Sequence, residues 1–129
     1  MRSRVTGAPV GRLATVRPDG RPHVVVCCFA LDGETAYTAV DDKPKSTRQL
    51  QRLRNLAAHP EAAILVDHYE DDWTALWWVR LDGRGRLVSR GGEHDRAMAL
   101  LAGKYEPYRR QTPTGPLIAI DIDRWTAWP

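Results

Sequence analysis

The sequence predicts a small, mainly β domain in which six or seven antiparallel strands form a barrel accompanied by two helices. Three observations carry this expectation. Short runs rich in β-branched residues recur along the chain, Asp-Gly pairs stand between strand-like runs, and two segments switch to helical spacing. Residues 12–17 and 23–31 read as the first two strands, joined at Asp19-Gly20, and residues 35–40 as the third, reached through Asp32-Gly33. These three are expected to form an antiparallel meander. The second is apolar almost throughout (Val24, Val25, Val26, Cys27, Cys28, Phe29), so both its faces are expected to be covered.

A helix follows. Leu50, Leu53, Leu56 and Ala57 recur at helical spacing, and His59-Pro60 ends the run. Residues 62–67 read as a fourth strand, and 76–81 and 86–89 as a fifth and sixth joined by a turn at Asp82-Gly83. Residues 93–106 read as a second helix with Ala97, Leu100, Leu101 and Tyr105 on its buried side, and residues 117–122 close the sheet. No repeat, linker or low-complexity tract interrupts the chain, so its 129 residues form one domain over 1–129.

Composition narrows the function classes. A formal charge of +3 fits a phosphorylated small molecule and argues only weakly for nucleic acid. The cations concentrate on one loop and helix, away from the tryptophans, so they are not interleaved as single-stranded nucleic acid requires. The longest apolar run, residues 24–31, is too short to span a bilayer, and the first residues lack the apolar core of a signal peptide. The two cysteines, Cys27 and Cys28, are adjacent and read as packed thiols of a reducing, cytoplasmic environment. The four histidines show no metal-ligand spacing. The acidic stretch around His68 (Asp67, Glu70, Asp71, Asp72) reads as a solvated turn.

The most informative stretch is 41–55, DDKPKSTRQLQRLRN. Pro44 stops the third strand. Ser46 and Gln49 have the spacing of a capping box, and Lys43 and Lys45 precede it, beside the N–H groups and positive dipole end of a helix start. Five cations (Lys43, Lys45, Arg48, Arg52, Arg54) occur with no acid after Asp42, a composition suited to an anionic ligand. For Arg52 and Arg54 two readings stay open: contact with an anionic ligand tail, or with water. Trp77 and Trp78 are strand neighbours whose indoles leave on opposite faces. One fills the interior and the other needs a second surface.

Taken in order, RLATVRPDGRPHVVVCCFALDG, YTAVDDKPK, RNLAAHPEAAILVDHY, WWVRLDGRGRL and KYEPY resemble the flavin-binding split β-barrels of the pyridoxamine 5'-phosphate oxidase-like superfamily, over roughly residues 12–128. The nearest resemblance is to the actinobacterial subgroup associated with the deazaflavin coenzyme F420. The resemblance implies a mainly β split barrel with two or three helices, a homodimer, and two coenzymes lying between subunits. It implies a phosphate held by Lys43, Lys45, Ser46, Thr47 and Arg48, a ring along Val24, Val25, Thr38 and Ala39, and Trp77 or Trp78 of a second subunit completing the pocket. The implied activity is an F420-dependent oxidoreductase passing hydride to a small organic substrate. FMN is the alternative coenzyme, and a non-catalytic flavin or deazaflavin carrier the alternative role. No side chain is nominated as catalytic and none as a metal ligand. The carboxy-terminal DRWTAWP lacks the arginine and histidine pattern of true pyridoxamine phosphate oxidases, so vitamin B6 oxidation is not expected.

Overall fold

A computed structural model describes residues 1–40 and 47–129, without the side chains of residues 47–50. The elements run α1 (Arg2–Gly7), β1 (Gly11–Val16), β2 (Pro22–Cys27), β3 (Ala30–Asp32), β4 (Thr35–Ala39), α2 (Thr47–Ala58), β5 (Glu61–His68), a 3₁₀ turn (Trp73–Ala75), β6 (Trp77–Val88), α3 (Gly92–Lys104), α4 (Glu106–Arg110) and β7 (Leu117–Trp128). Seven strands form one antiparallel sheet in the order β2-β1-β5-β6-β7-β4-β3.

The architecture departs from the expected fold class in two ways. Four α-helices occur among the described residues, not two or three. The short α1 forms despite Gly7 because Val5 is driven into the core. The expected second helix breaks in two at Tyr105, whose backbone is extended. Pro107 lacks an N–H and fits the first turn of α4 but not the interior of a continuing helix. The sheet, moreover, is not closed into a barrel. Its two end strands, β2 and β3, are consecutive in sequence and meet only through Cys28 and Phe29.

The physical reason lies at Phe29. Its ring is fully buried. Its backbone N–H donates to the Tyr105 hydroxyl (3.0 Å), and its carbonyl accepts from Lys104 Nζ (2.9 Å). Side chains from the end of α3 thus satisfy groups that a closing ladder would have used. The expected three-strand meander is therefore split between opposite ends of the sheet. β2 is an edge strand, and its outer face is open: Val24 is 61% and Val26 63% exposed.

The third Asp-Gly pair also departs from expectation. Asp82 and Gly83 lie inside the continuous 12-residue β6, at a bulge where the register with β7 shifts. The other two pairs do turn the chain, with Gly20 at φ 91° and Gly33 at φ 60°.

Apolar residues form two clusters. Leu13, Ile64, Val66, Val79, Leu81, Ile118 and Ile120 pack inside the curled sheet with Phe29 and, from α2, Leu53 and Leu56. Leu117, Ala119, Tyr37 and Ala39 face the other way, against Ala97, Met98 and Leu101 of α3. β7 therefore buries both faces at its start, by ordinary strand alternation.

An ionic network pins α3 to the sheet. Arg86 holds Glu93 through Nη1 (2.9 Å) and Nη2 (2.7 Å) and Asp121 through Nε (2.7 Å), while the Tyr37 hydroxyl donates to Glu93 (2.7 Å). Those bonds hold the Glu93 carboxyl down at about 2. A carboxylate depressed in the folded state stabilises above its unfolded pKa and loses that contribution as pH falls toward the folded value. Glu93→Gln is therefore expected to lower stability by about 1 kcal/mol at pH 7, after allowance for solvent screening, and to make no difference near pH 2. Urea unfolding of both proteins across pH 2–7 checks this, and a pH-independent difference would contradict it. Among the described residues no helix is long and apolar enough to cross a membrane.

Candidate functional site

A buried polar cluster is built where α2 lies across the far end of the β1–β2 hairpin. Thr15 on β1 pairs with His23 on β2 and is buried beneath α2. Asn55, fully buried in α2, donates from Nδ2 to Thr15 Oγ1 (2.9 Å) and accepts from Gln51 Nε2 (2.7 Å). These bonds fix the rotation of the helix over the hairpin. They also fix Arg52, almost one turn before Asn55.

Arg52 is only 9% exposed, and no salt bridge among the described residues reaches it. Its Nε has no hydrogen-bond partner, and neither does the buried Nδ1 of His23. Burial lowers the His23 pKa, and the charges of Arg17 and Arg52 lower it further. Burial also pushes the nearby Cys27 thiol up to about 11, against the opposing pull of Arg52 and a hydrogen bond from Thr38. An enclosed guanidinium without a counter-charge is costly. A charged donor without a partner, beside a ring nitrogen that donates in one of the two imidazole tautomers, suits an anionic group such as a phosphate.

The expected site residues divide. Lys43, Lys45 and Ser46 lie outside the described residues, and Thr47 and Arg48 are placed only as the opening of α2. Val24 is open to solvent and Val25 is partly buried against the core. Thr38 and Ala39 are buried, Ala39 under α3. Trp77 and Trp78 stand at the other end of β5 and β6. Ala14 pairs with Ala63, whereas Trp78 pairs with Asp67 and Trp77 with His68. At about 3.3 Å per residue, that separates the tryptophans from the Thr15 level by about 17 to 20 Å. Trp77 packs against the core and Trp78 takes the outer face, as their opposite directions predict.

Nothing in the sequence around His23 marks it as a site residue, and the charge run alone does not separate Arg52 from a solvated cation. The signal for Arg52 was its place beside the Leu53–Leu56 stripe, one turn from an amide on the covered side of the helix. Among the described residues, no three His, Cys, Asp or Glu side chains gather as metal ligands.

An open antiparallel sheet with a helix laid over one hairpin end encloses Arg52, which has no ion pair among the described residues. The chain belongs to the pyridoxamine 5'-phosphate oxidase family, whose model matches residues 1–129. No curated protein matches the sequence. Among solved structures, the conserved hypothetical protein Rv2991 from Mycobacterium tuberculosis is similar over 98% of this chain and 80% of its own, at 20% identity and a TM-score of 0.78. A heme binding protein from Mycobacterium smegmatis is similar over 98% of this chain at 23% identity and a TM-score of 0.79, and this chain spans 51% of its length. A FAD-binding protein from Mesorhizobium loti is similar over 98% of this chain and 89% of its own, at 21% identity and a TM-score of 0.72. At these identities the likeness is one of fold.

Proposed function

We propose that this chain binds a flavin or deazaflavin coenzyme, with the coenzyme phosphate on Arg52 and His23, and serves as an oxidoreductase toward a small organic substrate. The buried Arg52, with no ion pair among the described residues and no partner there for its Nε, beside the unpartnered Nδ1 of His23, carries the reading. Family membership and a FAD-binding protein of the same fold support it. The coenzyme supplies hydride transfer, and the protein supplies binding, orientation and exclusion of water. Arg52 neutralises the anionic end, and Asn55 with Thr15 keeps the helix that bears it in register. Lys43, Lys45 and Arg48 precede Arg52 in the sequence, with Ser46 and Thr47 among them, and their charge and hydroxyl donors suit the same anionic group. Val24 offers an apolar wall for the ring. Both FMN and F420 place a phosphate on a ribityl chain, so either suits this pair of side chains.

The working unit is a homodimer. Val26, Arg12 and Leu65 align across β2, β1 and β5 on the open face of the sheet, and Val24 continues the same face. A second copy covering these side chains removes apolar surface from water. Trp77 or Trp78 reaches the ring only from such a second copy.

Fluorescence titration with FMN and with F420 tests the assignment. Arg52→Ala is expected to weaken binding about 30-fold, the order of one or two charge-assisted hydrogen bonds, and Arg52→Lys by less. Unchanged affinity in Arg52→Ala, with native circular dichroism, would remove the reading. Turnover of the reduced coenzyme with a panel of enones and quinones separates an oxidoreductase from a carrier.

A further inference from the structure

His23 lies on the covered face of β2 with Val25 and Cys27, while Val24 and Val26 turn outward. Its buried Nδ1 has no hydrogen-bond partner. Opposite it on β1 is the buried Thr15, whose hydroxyl accepts from Asn55 Nδ2 (2.9 Å). Two guanidiniums act on the imidazole, Arg17 from just beyond β1 and Arg52 from α2.

Acidic side chains on the surrounding elements pair or point elsewhere. Helix α2 contains no acid. Asp19, in the β1–β2 turn, accepts from Arg21 Nε (2.9 Å) and from the Arg21 backbone N–H (3.1 Å). Glu61 of β5 is exposed and alternates with the buried Ala62. Cys27, the other titratable group on the covered face of β2, is kept a neutral thiol by burial, with its pKa pushed up to about 11. The imidazole thus meets two positive groups and no negative one among these. Burial and those cations disfavour its charged form and lower its pKa. A phosphate between Arg52 and His23 shifts the balance the other way. Its charge offsets the guanidiniums, and its oxygens accept an N–H from the ring.

We propose that anion binding at this site is coupled to a proton: His23 is a neutral imidazole in the free protein and an imidazolium against the bound phosphate, with the proton drawn from solvent. The coupling rests on the phosphate placement proposed above and adds a pH control to it. A group whose pKa rises on binding takes up a proton, so affinity is highest at low pH and falls as pH rises through the bound-state value.

Titration calorimetry of the intact protein with FMN at pH 7, in buffers of unlike ionisation enthalpy, counts the protons. Riboflavin, with the same ring and ribityl chain but no phosphate, is the control. At pH 7 a phosphate monoester with a second pKa of about 6 is already mostly dianionic, so uptake belongs to the protein. About half a proton is expected to enter with FMN and none with riboflavin, and FMN affinity to fall about twofold between pH 7 and 8.5. His23→Gln, which keeps an N–H but cannot take up a proton, is expected to lose the uptake and the pH dependence together. FMN binding in the parent protein without proton uptake, or equal uptake in a folded His23→Gln, overturns the coupling alone. FMN bound no more tightly than riboflavin overturns the phosphate placement with it.

Discussion

Gly83→Ala is expected to lower the unfolding free energy by about 3 kcal/mol, at the upper end of the usual cost of overpacking. A Cβ on residue 83 would stand 2.1 Å from the carbonyl oxygen of Asp121 and 2.8 Å from its carbon. Both are backbone atoms of the neighbouring strand, so neither can rotate aside. The bulge would have to open, at the point where β6 changes register against β7. Gly85→Ala is the natural comparison. Its Cβ would meet Leu56 Cδ2 at 2.5 Å, the far end of a side chain that can turn, so its loss is expected to be nearer 1 kcal/mol. Urea midpoints with unchanged slopes measure both losses. A Gly83→Ala midpoint equal to that of the parent would show that the bulge yields freely.

Tyr105→Phe is the second large effect, about 2 kcal/mol, because it strands a buried backbone donor. The hydroxyl accepts from Phe29 N (3.0 Å) and lies within hydrogen-bond distance of the carbonyls of Pro9 (2.8 Å) and Phe29 (3.0 Å). Phenylalanine fills the same volume and leaves the Phe29 N–H without this partner. Amide exchange at Phe29 is expected to accelerate more than exchange within β1 or β5. Equal acceleration everywhere would mean the bond is not local to the crossover.

The sequence was most readable where local chemistry decides structure. Asp19-Gly20 and Asp32-Gly33 need a left-handed glycine at a turn, and both have one. Asp82-Gly83 carries the same letters with a different outcome, because the partner strand β7 determines whether the chain turns or bulges. The break at Tyr105 was also legible, through Pro107, but the apolar spacing of the helix masked it. Openness of the sheet was not legible, since it rests on contacts between Phe29 and residues 104 and 105, far along the chain.

For the site, the strand alternation of Val24 and Val25 was readable in kind but not in consequence. Helix α3 packs over Ala39, and that burial could not be seen before the topology was known. Arg52 looked like one more cation in a run. Its distinction is enclosure, a property of packing and not of charge pattern.

The place of β7 between β6 and β4 has a consequence for biosynthesis. Among the described residues the β3–β4 hairpin finds its one other sheet neighbour in β7, pairing Thr35 with Asp121 across most of the chain. On a ribosome, the early hairpins emerge long before that neighbour exists. The two halves of the sheet can be zipped together only once residues 117–128 have left the exit tunnel, which makes late, long-range assembly the expected slow stage and the open strand of β4 a target for chaperones until then.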